Sequence, residues 1–114
     1  MDPHQALVLV KIAHTLAWAF FVSCILAVPP TALAGRLGWS ATLSCVVLFE
    51  CLVLAMNHFR CPLTDLAARY TSERTDAFDI YLPAWLARHN KEIFGSLFVA
   101  SELVLLWCWR RRDA

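Results

Sequence analysis

Three apolar runs of about 20 residues each constrain this chain more than any other feature of its sequence. They lie at about 5–28, 39–59 and 91–109, and about 20 apolar residues in a helix cross the hydrocarbon core of a bilayer. Of the 114 residues, 60% are hydrophobic and 17% are charged, whereas soluble domains are roughly half apolar and a quarter charged. The sequence therefore predicts an all-α integral membrane protein, a bundle of three transmembrane helices in a single domain over residues 1–114.

The ends of these spans are predicted from helix-breaking and capping residues. The first span is expected to stop at Pro29 and Pro30, because two successive prolines remove helix hydrogen bonds and disfavour a helical residue before them. The second is expected to end before Pro62, and the third to begin after an N-cap at Asn90. An A-x-A pattern at 32–34 offers an alternative, cleavage of a signal peptide, but the length of the first run favours a retained helix.

Residues 60–90, between the second and third spans, mix charges with aromatic side chains. This mixture is typical of an amphipathic helical segment in the headgroup layer, where aromatic rings are favoured. A solvated loop that folds over the end of the bundle is the alternative. Thr64 is predicted to cap a short helix that runs to Tyr70, and Asp76 or Asp79 to open another.

Four ionisable side chains lie near the middle of the predicted spans, where each costs about 2.5–3.5 kcal/mol on insertion scales. Counted from one membrane face, His14, Glu50 and Glu102 are each about ten residues deep on three different helices, and Lys11 is one turn from His14. This mid-membrane polar cluster has three interpretations. It is a metal site of one histidine and two carboxylates, a proton or polar-ligand site, or a structural pairing of Lys11 with a glutamate that orders the helices.

A second group of polar residues, the membrane-face cluster, is predicted where the second span ends. Its members are Asn57, His58, Cys61 and His89. His58 and Cys61 have the spacing of two metal ligands on one helix end, and His89 with His4 could complete a four-ligand set. The neighbouring arginine and histidine could instead make the Cys61 thiol reactive. The simplest alternative is a turn in which Pro62 stops one helix.

Several classes of function are excluded by the same sequence. A net charge of +1 argues against a nucleic-acid partner, because binding of nucleic-acid phosphates needs a strongly basic face. The sequence has no C-x-x-C redox pair, no phosphate-binding glycine loop and no H-E-x-x-H zinc motif. Its longest polar stretch is also too short to form a separate soluble catalytic domain. Enzymatic activity stays open, and so does a bound metal or haem.

Some of these residues also carry a resemblance to a known family. His14 in an apolar first helix, Glu50, NHFRCPLTDLA at 57–67 and FDIYLP at 78–83 resemble a family of small bacterial membrane proteins with a Cys-Pro-Leu-Thr signature. The resemblance covers nearly the whole chain and implies about three helices in a bacterial inner membrane. It implies no activity, because none is assigned to that family. Members often have CPLTPLE where this chain has CPLTDLA, so a role for that glutamate does not carry over.

The expected function is structural. A small multi-pass membrane protein with a buried polar layer fits a structural or assembly component of a membrane oligomer or larger complex, with the lipid bilayer as its other partner. Small residues about four apart in the third span favour close helix packing. A metal- or haem-dependent redox protein or sensor, and a proton-coupled transport component, are the alternatives.

The orientation in the membrane is predicted from the positive charges and tryptophans that flank the spans. Arg110, Arg111 and Arg112 directly follow the third span, which favours a cytoplasmic C-terminus and an external N-terminus. The arginine and lysine counts on the two sides, four and five, are nearly equal. At the same membrane face as the three arginines, the sequence also predicts an aromatic belt. Its members there are Trp39, Trp107 and Trp109, and Trp85 and Tyr81 form a corresponding belt at the other face.

Overall fold

The computed structural model describes residues 2–112, and every regular element in that range is an α-helix. The helices are α1 (Pro3–Leu33), α2 (Leu37–Met56), α3 (Pro62–Ala67) and α4 (Ala84–Arg112). All except α3 are long and apolar enough to cross a membrane. The predicted all-α fold with three long apolar helices is therefore confirmed.

The described residues group into two compact units. Unit 1 consists of the residues up to Ala19 together with Cys51–Asn90, and unit 2 consists of Phe20–Glu50 together with the residues from Lys91 onward. The long helices α1 and α4 contribute residues to both units. Unit 1 contains the segment that connects α2 to α4, and unit 2 contains the turn that connects α1 to α2.

The start of α1 is fixed by its first residues. The Asp2 carboxylate accepts a hydrogen bond from the Gln5 N–H at 2.7 Å, and the Gln5 side-chain oxygen accepts one from the Asp2 N–H at 3.2 Å. This reciprocal pair is a capping box. Pro3 takes the first helical position, where its missing N–H costs nothing because that group would have no partner in the helix.

α1 continues through Pro29 and Pro30, so the prediction that the helix stops at residue 28 is wrong. A proline at position 29 has no N–H to donate to the carbonyl oxygen of Ile25, four residues earlier. The hydroxyl of Ser101 on α4 donates to that oxygen instead, at 3.3 Å. A hydroxyl from a neighbouring helix therefore replaces the hydrogen bond that the proline removes.

The actual end of α1 is a Schellman motif. The N–H of Arg36 donates to the carbonyl of Thr31 at 2.9 Å, and the N–H of Gly35 donates to that of Ala32 at 3.1 Å. This pattern requires a left-handed residue after the helix, and Gly35 has a φ of +81°. Glycine takes this conformation without a steric penalty. The helix α1 is therefore ended by Gly35 and not by Pro29 and Pro30.

α2 ends at Met56, three residues before its predicted end. His58 and Phe59 follow with φ values of +58° and +60°, a left-handed backbone that cannot continue a right-handed helix. The side chain of Asn57 closes the turn by donating to the carbonyl of Arg60 at 2.7 Å. The chain therefore turns before it reaches Pro62.

α3 is shorter than predicted, because it ends at Ala67 and not at Tyr70. Its N-cap is Cys61, whose extended backbone (φ −64°, ψ 137°) is the conformation that a residue before proline prefers. Thr64 lies inside the helix and is not its cap, so that prediction is wrong.

α4 begins at Ala84 and runs unbroken to Arg112. A separate helix capped by Asp76 or Asp79, and an N-cap at Asn90, are therefore wrong predictions. The start follows Pro83, whose carbonyl accepts the N–H of Ala87 at 3.0 Å. Beyond that point the sequence contains no further proline to interrupt the helix.

Unit 2 is held together by two small apolar clusters that join α1, α2 and α4. Their buried members are Cys24, Ile25, Val47 and Phe98 in the first, and Val28, Ala32 and Leu105 in the second. Within the most apolar window of each long helix, only 22%, 17% and 17% of the residues are buried. Most of the apolar surface of these helices therefore faces outward, where lipid would meet it.

Candidate functional site

Four side chains of α1 form one polar line along an otherwise apolar helix. Lys11, His14, Thr15 and Trp18 have i, i+3, i+4, i+7 spacing, which places them on one helix face. We call this set the α1 polar stripe. Lys11, His14 and Thr15 contact the connection between α2 and α4, and Trp18 contacts Asn90 in the first turns of α4. All of these contacts lie within unit 1.

His14 contacts Asp79 through both the backbone and the side chain of that residue. Its Nδ1 lies 3.0 Å from the carbonyl oxygen of Asp79 and 3.5 Å from the carboxylate oxygen Oδ2. A carbonyl oxygen can only accept a hydrogen bond, so Nδ1 must carry the proton that is donated. In the neutral ring the basic lone pair is then on Nε2. The contact thus fixes which ring nitrogen can accept a further proton.

Asp79 is an acidic residue that is only 7% exposed. Burial of a carboxylate is costly unless hydrogen bonds compensate it. The hydroxyl of Thr64 donates a short hydrogen bond to Oδ2 of Asp79, the oxygen that also faces His14. Thr64 belongs to the CPLT sequence and Asp79 to the FDIYLP sequence, so the two motifs meet at this carboxylate.

The other three residues of the stripe also make contacts within unit 1. The N–H of Tyr81 donates to the hydroxyl oxygen of Thr15 at 3.0 Å, and the ammonium of Lys11 lies 4.4 Å from the centre of the Tyr81 ring. The indole N–H of Trp18 donates to the side-chain oxygen of Asn90 at 2.8 Å. Lys11 thus makes a cation–π contact in place of the predicted ion pair with a glutamate.

The predicted mid-membrane polar cluster is divided between the two units, with Lys11 and His14 in unit 1 and both glutamates in unit 2. Glu50 on α2 and Glu102 on α4 are each half-buried. The Oε1 atom of Glu102 is fully enclosed, and it has no hydrogen-bond partner in the part of the chain that the structure describes. An unpaired polar atom in such a position is costly.

No group of three or more His, Cys, Asp or Glu side chains within residues 2–112 is arranged to hold a metal ion. This applies to the set of His14, Glu50 and Glu102 and equally to the membrane-face cluster. The metal interpretations therefore have no support from the geometry.

The membrane-face cluster forms a turn between helices. Asn57 donates to the carboxylate of Asp65 at 2.9 Å as well as to the backbone at Arg60. His58 has a left-handed backbone, and Cys61 is the N-cap of α3. The remaining member, His89, is exposed on α4. Asn57, His58 and Cys61 therefore lie at a turn between α2 and α3, but α2 ends at Met56, so Pro62 is not the residue that stops it.

No protein-family model, curated protein or solved structure matches this chain.

The sequence analysis missed several residues of the site in unit 1. It treated Asp79 and Thr64 as helix caps and gave Thr15 no role, because each is a common loop or helix residue when taken alone. The spacing of the α1 polar stripe could have predicted the site. Four polar or amphipathic side chains on one face of a membrane span require a polar partner elsewhere in the chain. The charged residues in the 60–90 connection were the available partners.

Proposed function

We propose that this chain is a small multi-pass membrane protein that serves as a structural component of a membrane assembly, built by association of copies of this chain. The resemblance to the CPLT family supports a bacterial inner membrane as its location. The α1 polar stripe orders the 60–90 connection, so each copy has a defined surface to present.

The main support for this proposal is that the side chain of Glu102 has no polar partner within the described residues. It lies in the middle of the apolar run of α4, and none of its side-chain atoms has a hydrogen bond or an ion pair within the described residues. A carboxyl group at that depth costs about 2.5–3.5 kcal/mol on insertion scales. A hydrogen bond to a helix of a second copy would recover part of that cost.

The surroundings of Glu102 on α4 suit close contact with another helix. Gly95, Val99, Glu102 and Leu106 have i, i+4, i+7, i+11 spacing and share one face, on which every residue except Glu102 is exposed. A Cβ added at Gly95 would meet no atom within 4 Å. We call these four residues the α4 face. A small residue in such a face lets two backbones approach closely.

Mass measurement of the protein in detergent or nanodiscs tests the proposal, together with crosslinking in native membranes. The unmodified chain is expected to be an oligomer. Gly95→Leu places a bulky side chain in the interface and is expected to raise the monomer fraction about tenfold, equivalent to about 1.4 kcal/mol. Glu102→Leu should act in the same direction, whereas Glu102→Gln keeps a hydrogen-bonding side chain and should weaken association less.

Gly38→Leu is the matched control for Gly95→Leu. Gly38 also lies in a long helix, α2, with no atom within 4 Å of an added Cβ, so a leucine at either position meets no obstacle close to its Cβ within the described chain. Association should survive Gly38→Leu. A wild-type protein that is monomeric both in nanodiscs and in native membranes would contradict the proposal.

The geometry of His14 favours a second candidate function, a proton-coupled component. In the described residues its only hydrogen bond is the one from Nδ1, so Nε2 is available to accept a proton. The imidazolium that forms would face the Asp79 carboxylate at 3.5 Å. A histidine held beside a carboxylate in this way has the geometry of a proton-relay group.

Proton flux into proteoliposomes under an imposed membrane potential tests this second candidate. His14→Gln is expected to abolish flux above that of protein-free liposomes, whereas His4→Gln, at the exposed start of α1, should leave it unchanged. Equal flux in protein-containing and protein-free liposomes would remove the candidate and leave the assembly proposal intact.

A further inference from the structure

At one end of unit 2, arginines from two separate parts of the chain lie close together. The apolar cluster at this end contains Ala32 near the end of α1 and Leu105 on α4, and Leu37 and Cys108 pack against it. The contacts of Leu37 and Cys108 bring the α1–α2 turn close to the last turns of α4. The residues next to these contacts form what we call the arginine end: Arg36, Arg110, Arg111 and Arg112.

The four arginines are exposed and poor in acidic neighbours. Arg36, Arg110 and Arg111 take part in no side-chain ion pair with an acidic residue of the described chain. The nearest acidic residue before them on α4 is Glu102, eight positions and about 12 Å from Arg110. Asp113 follows them in the sequence and lies outside the described residues; with it included, the net charge is still strongly positive.

Exposed tryptophans accompany the arginine end. Trp39 at the start of α2 is 66% exposed, and Trp107 and Trp109 near the end of α4 are 52% and 54% exposed. Tryptophan favours the headgroup layer, where its ring meets the acyl chains and its N–H meets water. The guanidinium of Arg111 stacks on Trp107, 4.6 Å from the ring centre. These side chains place the arginine end at the depth of lipid phosphates.

The 60–90 connection lacks this charge pattern. It contains four basic residues and four acidic ones, Arg60, Arg69, Arg74 and Arg88 against Asp65, Glu73, Asp76 and Asp79. Two of its arginines form ion pairs, Arg88 with Asp76 at 2.8 Å and Arg60 with Asp65 at 3.4 Å. Its arginines are therefore largely neutralised by its own carboxylates.

We propose that the arginine end binds the headgroup phosphates of anionic phospholipids. Each arginine near a membrane surface contributes about 1 kcal/mol of attraction to anionic lipid, and salt screens this attraction. Guanidinium groups also match phosphate oxygens with two parallel hydrogen bonds. The inference uses only unit 2 and the membrane, so it does not depend on association of copies through the α4 face.

Lipid retention by the purified protein tests this inference. The protein is exchanged into mixed micelles that contain equal amounts of phosphatidylglycerol and phosphatidylcholine, and the bound lipids are counted by native mass spectrometry at low and high salt. Phosphatidylglycerol is expected to be preferred. Replacing Arg110, Arg111 and Arg112 together by glutamine should reduce that preference by roughly tenfold or more, and the corresponding triple lysine variant should keep most of it.

The matched control replaces Arg60, Arg74 and Arg88 by glutamine, which removes the same number of positive charges from the 60–90 connection. This variant should keep the preference for phosphatidylglycerol, and circular dichroism should show equal helix content in all variants. The inference is overturned if the unmodified protein shows no preference between the two lipids. It is also overturned if the two triple glutamine variants lose the preference equally, since the attraction would then depend on net charge alone.

Discussion

A buried carboxylate needs several partners, and Asp79 shows how this chain supplies them. Thr64 donates a hydrogen bond to the Asp79 carboxylate from α3, and the imidazole of His14 faces it from α1. The backbone carbonyl of Asp79 accepts the Nδ1 proton of His14 at 3.0 Å. One residue of the connection thus ties two helices of unit 1 together.

Asp79→Ala is expected to lower the free energy of unfolding by about 1–3 kcal/mol, because Thr64 loses its buried acceptor. Asp76→Ala is the control: Asp76 pairs with Arg88 at the exposed surface, where an ion pair is worth about 0–1 kcal/mol. Unfolding in mixed micelles with increasing dodecyl sulfate, followed by circular dichroism, measures both. Equal losses in the two variants would show that the Asp79 carboxylate does not stabilise unit 1.

Sequence patterns found only part of this site. His14 and Lys11 were recognised because a charge in an apolar run is conspicuous, and both are in the site. Their partners could not be assigned, because Asp79 and Tyr81 lie more than 60 positions away, in the part of the connection after α3 that has no regular structure. The contact depends on how that connection folds onto α1, which no local pattern specifies.

At the scale of the helices, α1 shows that a helix can pass two prolines when a neighbour supplies the missing donor. Ser101 donates to the carbonyl of Ile25, which Pro29 leaves without its helix hydrogen bond. The apolar runs predicted all three long helices, but not their ends. The end of α1 depends on Ser101, 76 positions from Ile25, and on the left-handed Gly35.

A double-mutant cycle tests this compensation. Ser101→Ala is expected to cost about 1–2 kcal/mol of unfolding free energy, because the carbonyl of Ile25 is left unpaired. In a Pro29→Ala background the same substitution should cost much less, since the N–H of the new alanine can donate to Ile25. The coupling energy should be about 1 kcal/mol.

Ser96→Ala, at an exposed position on the same helix, is the control for this cycle and should be nearly neutral in both backgrounds. If Ser101→Ala lowered the free energy of unfolding equally with and without Pro29, the Ser101 hydroxyl would not be compensating for the hydrogen bond that Pro29 removes.

For the molecule as a whole, the distribution of charge bears on orientation more than the count of charges does. Lysines and arginines flanking the spans number four and five on the two sides, so counting gives no clear answer. The two sets differ in their ion pairs: Arg60 and Arg88 pair with nearby carboxylates, whereas Arg36, Arg110 and Arg111 form no ion pair among the described residues. An unneutralised cluster is held most strongly by the anionic cytoplasmic leaflet.

The topology predicted from this argument has the arginine end in the cytoplasm and the 60–90 connection outside, if α2 spans the membrane as proposed. Single cysteines test it in a variant whose five native cysteines are replaced by alanine. Ser72→Cys, exposed in the connection, should react with a membrane-impermeant maleimide in intact cells. Ala34→Cys, exposed in the α1–α2 turn, should react only after the membrane is opened. The reverse labelling pattern would place the arginine end outside the cell. Attraction to the anionic cytoplasmic leaflet could then not explain the orientation.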